Sequence, residues 1–403
     1  MRLGSPAEGA DFFGRQQELK DLWRYLEHDH IQFPGVRRLG KTSILKKLLA
    51  DAPGHGVMAQ LIDVSKAKSA ADFVACLDKA FPDAEIKSFI ANQAKAVADW
   101  FKRIRKIEGK IAGNGITLEL NDSSAPSWLK GAEKLYARLY DQPLLILLDE
   151  FPKMLLSLLQ RAPQEAEQLL EWLRIWRQAA GHCRFVFTGS IGLQVLLERH
   201  GLGGTMNDTF PYPLGPYTRV EAREFWRYFS PLIDPDTSWQ FADDGVIDYA
   251  LDIIGWLSPY YLSLLLEGSR VAARNRRQEN QVPESMPSVI EKADVDDAYE
   301  ILLAKRSVFH HWENRLKESL PADDFRFSCA VLTHISRQAD GMSLKQLSSR
   351  LTRLEPDPDR RTERLQDLLV RLTDEGYTSP PDAKQRIQFL SFLLRDWWSR
   401  NHV

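Results

Sequence analysis

Residues 35–43 read GVRRLGKTS, and Gly35, Gly40, Lys41 and Thr42 fill every fixed position of the pattern G-x-x-x-x-G-K-[ST]. Such a loop needs a strand to deliver it and a helix to receive it. Its glycines permit a tight turn whose backbone N–H groups converge on phosphate oxygens. Lys41 adds a mobile positive charge for those oxygens, and the Thr42 hydroxyl suits a hard cation such as Mg2+. Residues 43–49, SILKKLL, continue as a helix whose positive N-terminal end faces the anion. Residues 31–33 make a short apolar strand, and Pro34 sits at its end, where a lost ladder hydrogen bond costs least. A glycine turn before an unrelated helix would look similar, so the rest of the chain must supply the context.

Residues 143–152, PLLILLDEFP, supply it. The unbroken apolar run 144–148 reads as a central strand of a parallel sheet, buried on both faces. It ends in Asp149 and Glu150, at the carboxyl edge where such sheets bind ligands. Together with the upstream loop, these carboxylates predict a metal ligand (Asp149) and a group that orients the attacking water (Glu150). Residues 183–192, CRFVFTGSIG, give another buried strand, closed by Thr188-Gly189-Ser190. A hydroxyl there can reach a γ-phosphate or the attacking water, and helix capping is the rival role. The next helix, 193–199, ends in Arg199 before a glycine-rich stop.

Around these segments the order is strand, loop, helix, strand, helix, which indicates a parallel α/β sheet. Residues 12–26 pass from a turn into an amphipathic helix, with Arg15 and Glu18 at the turn. Strands are expected at 57–63 and 210–214, and a helix at 70–81. Residues 87–110 read as one helix, basic toward its end, and 115–120 as a short strand. From residue 218 the pattern turns helical: 219–229, 244–254 and 258–273, with a loop at 275–288 and a helix from Asp294 that this residue caps. The last part predicts helices at 324–337, 343–351 and 360–375 and a two-stranded wing within 377–390, together a winged helix-turn-helix. Its third helix mixes Arg360, Arg361, Arg364 and Arg371 with Glu363, Asp367, Asp374 and Glu375, so DNA and protein contact are both open.

Composition narrows the classes further. With 403 residues and a formal net charge of −2, the chain has room for two or three domains and no global basic footprint. Its three cysteines, Cys76, Cys183 and Cys329, lack C-x-x-C spacing, which argues against a zinc site or disulfide framework and suits a reducing cytoplasm. No apolar run is long enough for a membrane span or a signal peptide.

With the phosphate and acidic segments placed, the chain resembles the AAA+/STAND P-loop ATPases, and most closely the archaeal-type ATPase family. The resemblance rests on FFGRQQEL, GVRRLGKTS, LLILLDEF, FVFTGS, the turn at 256–261, DVDDAY and the terminal winged helix. It implies an α/β P-loop core over residues 1–217, a helical lid over 218–310 and a winged helix over 311–403. It also implies ATP and Mg2+ as ligands and slow hydrolysis used as a conformational switch. Gly35, Val36, Arg37, Arg38, Leu39, Gly40, Lys41, Thr42 and Ser43 take the Walker A role. Asp149 and Glu150 take Walker B, and Thr188 or Ser190 the sensor position. Arg15 and Pro259 fall near the base. Arg199 falls where an arginine finger sits, although a basic helix end is expected on dipole grounds alone. The implied partners are DNA through the winged helix, or a protein effector, and further copies of the chain assembled in a nucleotide-dependent way.

Overall fold

The computed structural model describes residues 4–34, 36–104, 126–179, 181–189, 192–232, 239–283 and 286–402. Gly35, Ser190, the basic stretch 105–110 and the strand expected at 115–120 lie outside the described residues. The chain forms two compact units. One comprises Glu8–Val36 and Gly40–Leu214. The other comprises Gly215–Val403 with Met1–Ala7 and the three loop residues Arg37–Leu39.

The first unit is built on a five-stranded parallel sheet. Its strands are β1 (His30–Gln32), β2 (Met58–Asp63), β3 (Leu144–Asp149), β4 (Arg184–Phe187) and β5 (Thr209–Pro211), in the order β2-β3-β4-β1-β5. β4 therefore lies between the strand that leads into the phosphate loop and the strand that ends in the acidic pair. In β3, Leu144, Leu145, Ile146, Leu147 and Leu148 are all fully buried, as an apolar run flanked by strands on both sides requires. β2, at one edge, is only half-buried along its length. Phe73, Phe151, Phe185, Phe187 and Trp176 belong to the core around the sheet. Full burial of each such ring is worth roughly 1.5–3 kcal/mol.

The helix Lys41–His55 follows the loop and buries Ile44, Leu45, Leu48 and Ala52. The helix expected over 87–110 is broken at Gln93 into Asp83–Asn92 and Ala94–Arg103. The second piece passes close to the end of helix Lys41–His55: a Cβ on Gly56 would lie 2.0 Å from the Ala96 carbonyl oxygen.

The second unit opens with three helices, Arg219–Phe229, Asp244–Ile254 and Pro259–Glu279, the first two ending where the sequence pattern ends. Thr218 and Glu221 form a reciprocal capping box at the first of them. The third runs six residues beyond the expected end, to Glu279, so the start of the loop expected at 275–288 is helical. Those polar residues are good helix formers, and Arg276 is anchored by Asp294 at 2.9 Å through both guanidinium and carboxylate. A short parallel pair follows from β6 (Trp239–Phe241) and β7 (Ser288–Ile290). Helix Lys292–Ala304 is capped by Glu291, not Asp294. Asp294 instead accepts the Glu291 N–H at 2.8 Å as the far half of a capping box.

The end of the chain has helices Ala322–Ser336, Leu344–Arg350, Pro358–Asp374 and Phe392–Asn401. The expected hairpin within 377–390 is present: Thr378 and Phe389 form an antiparallel bridge, and Leu390 N–H donates to the Tyr377 carbonyl at 3.0 Å and Ser379 N–H to the Gln388 carbonyl at 2.9 Å. The ladder proper joins β8 (Met342–Ser343) to β9 (Arg386–Ile387). Gly341 makes this pairing possible, because a Cβ there would meet the Ile387 carbonyl oxygen at 2.4 Å. Among the described residues no helix is long and apolar enough to cross a membrane.

Candidate nucleotide-binding site

Two sharp corners at the carboxyl edge of the sheet bring the chemistry together within the first unit. The first is the loop itself. Gly40 has φ 90° and N-caps the helix Lys41–His55, a left-handed conformation that glycine takes without a Cβ penalty. Lys41, Thr42 and Ser43 are then the first three residues of that helix, whose leading N–H groups have no intrahelical acceptor. Lys41 Nζ donates to the Val36 carbonyl at 3.2 Å, so its ammonium folds back over the loop. The other corner follows β3. Glu150 has φ 56° and turns the chain from strand to helix Phe151–Arg161 within one residue. A non-glycine residue held there costs about 1–3 kcal/mol and persists where its surroundings impose it. Here they do. Glu150 N–H donates to Asp149 Oδ1 at 3.0 Å. Phe151 N–H donates to the Thr188 carbonyl at 3.0 Å, and Thr188 N–H to the Leu148 carbonyl at 2.8 Å.

Asp149 is the centre of the arrangement. Its Oδ2 accepts from the Thr42 hydroxyl at 3.0 Å, across 107 residues of sequence. Its Oδ1 accepts from the buried Thr188 hydroxyl at 2.7 Å. Thr188 is thus placed on the carboxylate rather than at a helix cap. Asp63, the last residue of β2, is in register with Asp149 on the neighbouring strand. The sequence reading passed over Asp63, although it is the one acidic residue closing the strand VMAQLID.

These groups suit Mg2+. A carboxylate oxygen and a hydroxyl oxygen 3.0 Å apart are hard donors, and no thiolate or imidazole competes in these contacts. No cluster of three or more His, Cys, Asp or Glu that could cage a metal exists among the described residues. Mg2+ is ordinarily held by one or two protein oxygens together with substrate phosphates.

The other expected residues are placed as follows. Arg15 is buried with φ 62°, immediately before helix Gln16–Leu26, and pairs with Glu18 at 2.7 Å. Arg199 is exposed at the end of helix Leu193–Arg199. Arg37, Arg38 and Leu39 group with the second unit, as does Pro259, the first residue of helix Pro259–Glu279.

The sheet order β2-β3-β4-β1-β5, with the loop after β1 and the acidic pair after β3, is that of a P-loop NTPase fold. Solved structures bear this out. The chain is similar to a Walker-type ATPase of Pyrococcus abyssi, at 16% identity and a TM-score of 0.61, covering 98% of each chain. It is also similar to the ORC2 protein of Aeropyrum pernix in its ADPNP–ADP complexes. That likeness has 16% identity and a TM-score of 0.53, over 96% of this chain and 92% of that one. No protein-family model matches the sequence, and no curated protein matches it either.

Proposed function

We propose that the protein binds ATP with Mg2+ at the loop 35–43 and hydrolyses it slowly, using the nucleotide as a conformational switch. The observation that carries this reading is the Asp149 carboxylate, held from both sides by the Thr42 and Thr188 hydroxyls at 3.0 and 2.7 Å. The likeness to an ORC2 structure solved with nucleotides supports it at the level of the fold. Bound Mg2+ would neutralise charge on the β- and γ-phosphates. Thr42 and Asp149 would hold it, and Thr188 fixes the Asp149 rotamer so that its oxygens need not reorganise on binding. Lys41 releases the Val36 carbonyl and pairs with phosphate oxygens. Glu150 accepts a hydrogen bond from the attacking water and aligns it in line with the bond to be broken. Without a second cation from another chain, turnover is slow, since an arginine finger is worth roughly 10³–10⁵ in rate. Arg199 is the candidate to supply one to a neighbouring copy.

The switch reading rests on the phosphate loop: losing the γ-phosphate removes the group that Lys41 and Mg2+ would hold, so the loop is the segment whose shape would change. For the region 322–402, read as a winged helix, protein contact is favoured over DNA. Arg361 is buried and donates to the Glu355 carbonyl at 2.7 Å, and Arg364 pairs with Asp324 at 2.7 Å. Two of the four arginines named on the third helix are thus engaged within the fold.

Titration with a fluorescent ATP analogue in the presence of Mg2+ tests the binding step. Lys41→Ala is expected to weaken binding at least tenfold while leaving the thermal midpoint of the free protein within a degree or two, as about 1.4 kcal/mol per tenfold implies for one lost charge-assisted contact. Equal affinity in the two proteins would refute the assignment of the loop.

A further inference from the structure

The phosphate-loop pattern leaves its inner residues unspecified, yet this loop carries a left-handed residue at one of them. Arg38 has φ 69°, two positions before Gly40. An arginine in that conformation is strained, and only surrounding contacts keep it there. Two contacts do so, and all three residues involved belong to the same compact unit. The Arg38 carbonyl accepts a hydrogen bond from Ser258 Oγ at 2.9 Å. The Arg38 guanidinium lies over the ring of Tyr260, with Cζ 3.9 Å from the centroid.

Ser258 is in an unusual position for such a contact. It N-caps helix Pro259–Glu279, where a serine hydroxyl ordinarily accepts from the second or third helical N–H. Its side chain makes no capping bond here. The residue is fully buried, and its hydroxyl is spent on Arg38 instead. The platform beneath is rigid. Tyr261 is fully buried, its hydroxyl accepts from Trp312 Nε1 at 3.1 Å, and its ring meets Trp256 edge-on. Ser258 and Tyr260 thus contact the loop from the first turn of a helix whose next residue, Tyr261, is buried and hydrogen-bonded.

We propose that Ser258 and Tyr260 are positioning residues for the phosphate loop: they clamp Arg38 in its left-handed turn so that the loop keeps the curvature that phosphate binding needs. This rests on the reading of residues 35–43 as a nucleotide loop. It assigns the inner arginine a role separate from charge. The guanidinium stacks on an aromatic face, and the backbone carbonyl is pinned by a hydroxyl 220 residues away in sequence.

A double-mutant cycle on the full chain tests the clamp, with Mg2+ and fluorescent ATP titrated into wild type, Ser258→Ala, Arg38→Gly and the double variant. Thermal midpoints are recorded for each. Ser258→Ala is expected to weaken binding about five- to tenfold, the size of one hydrogen bond, with the protein still folded. Glycine takes the left-handed turn without strain, so the serine becomes redundant in the Arg38→Gly background, where its removal changes affinity less than about twofold. Tyr260→Phe, which keeps the ring, binds as wild type does, whereas Tyr260→Leu binds more weakly. An unchanged affinity in Ser258→Ala, or the same loss in both backgrounds, overturns the clamp and makes Ser258 a packing residue. Wild type that binds no nucleotide overturns the loop assignment and the clamp with it, a result distinct from binding that is indifferent to Ser258.

Discussion

His30 shows how closely single groups are specified at the base of the sheet. It is buried in β1, where its Nδ1 accepts the Phe185 N–H at 3.0 Å and its Nε2 faces the Arg177 carbonyl at 3.0 Å. An acceptor on one side and a carbonyl on the other require the neutral ring with its proton on Nε2. Burial, and then the positive charges of Arg184 and Arg177, hold its pKa well below the usual 6.5. The sign follows from linkage. Folded His30 stays neutral while the unfolded ring takes up a proton below about pH 6.5. Its contribution is thus complete above that pH and is lost as pH falls toward the depressed folded value, by up to ~1.4 kcal/mol per pH unit. Urea unfolding from pH 7.5 to 5 should show this slope, and His30→Gln should flatten it. An unaltered slope in the variant would place the acid sensitivity elsewhere.

Among single residues, those whose role depends on local sequence were the most legible. Gly40, Lys41, Thr42, Asp149 and Glu150 stand at fixed offsets from a strand end, and the fold places them at such ends. Thr188 was legible only as a polar residue closing β4, because its partner depends on β4 lying beside β3. Asp63 is legible only as the acidic end of its strand, since its register with Asp149 depends on strand pairing, and the Arg38–Ser258 contact is not legible at all, because no local pattern encodes it.

At the scale of elements, the corner between β4 and helix Phe151–Arg161 determines how well the site is formed. Gly189 follows Thr188, and a Cβ there would lie 2.4 Å from Pro152 Cδ, in the first turn of that helix. Neither the proline ring nor the strand end can yield easily. Gly189→Ala should therefore destabilise the protein by about 1–3 kcal/mol, measurable as a lower urea midpoint. Because the same shift would part Thr188 from Asp149, MgATP affinity should fall with it. A stable variant with normal affinity would show that this corner is looser than its distances imply.

The elements most legible from sequence were those with a strong period or a hard boundary. The run 144–148 could only be a buried strand, and Arg219–Phe229 begins at a capping box written in its sequence as Thr218 and Glu221. Boundaries failed where tertiary contacts overrode local chemistry. Residues 275–279 look like a loop because they are polar, yet Arg276 finds Asp294 and the helix continues. The stretch 87–110 reads as helical without a stop signal, yet one helix ends at Asn92 and the next begins at Ala94. The wing within 377–390 pairs as its sequence suggests, but β9 also takes a ladder partner, β8, more than forty residues earlier. Long-range pairing of this kind leaves no period in the sequence.

At the scale of the whole molecule, the chain is two compact units. The first holds the sheet, the Lys41 and Thr42 end of the phosphate loop, and Asp149, Glu150 and Thr188. The account therefore stands or falls on whether this loop and the acidic pair act on ATP. Phosphate release with MgATP in excess, compared between wild type and Glu150→Gln with bound nucleotide measured alongside, tests that claim most directly. The account predicts slow release from wild type, loss of release in Glu150→Gln by a factor of at least about 10² as expected when a water-orienting group is removed, and retention of intact ATP on the variant. Wild-type release no greater than that of Lys41→Ala, or release from Glu150→Gln at the wild-type rate, would contradict it.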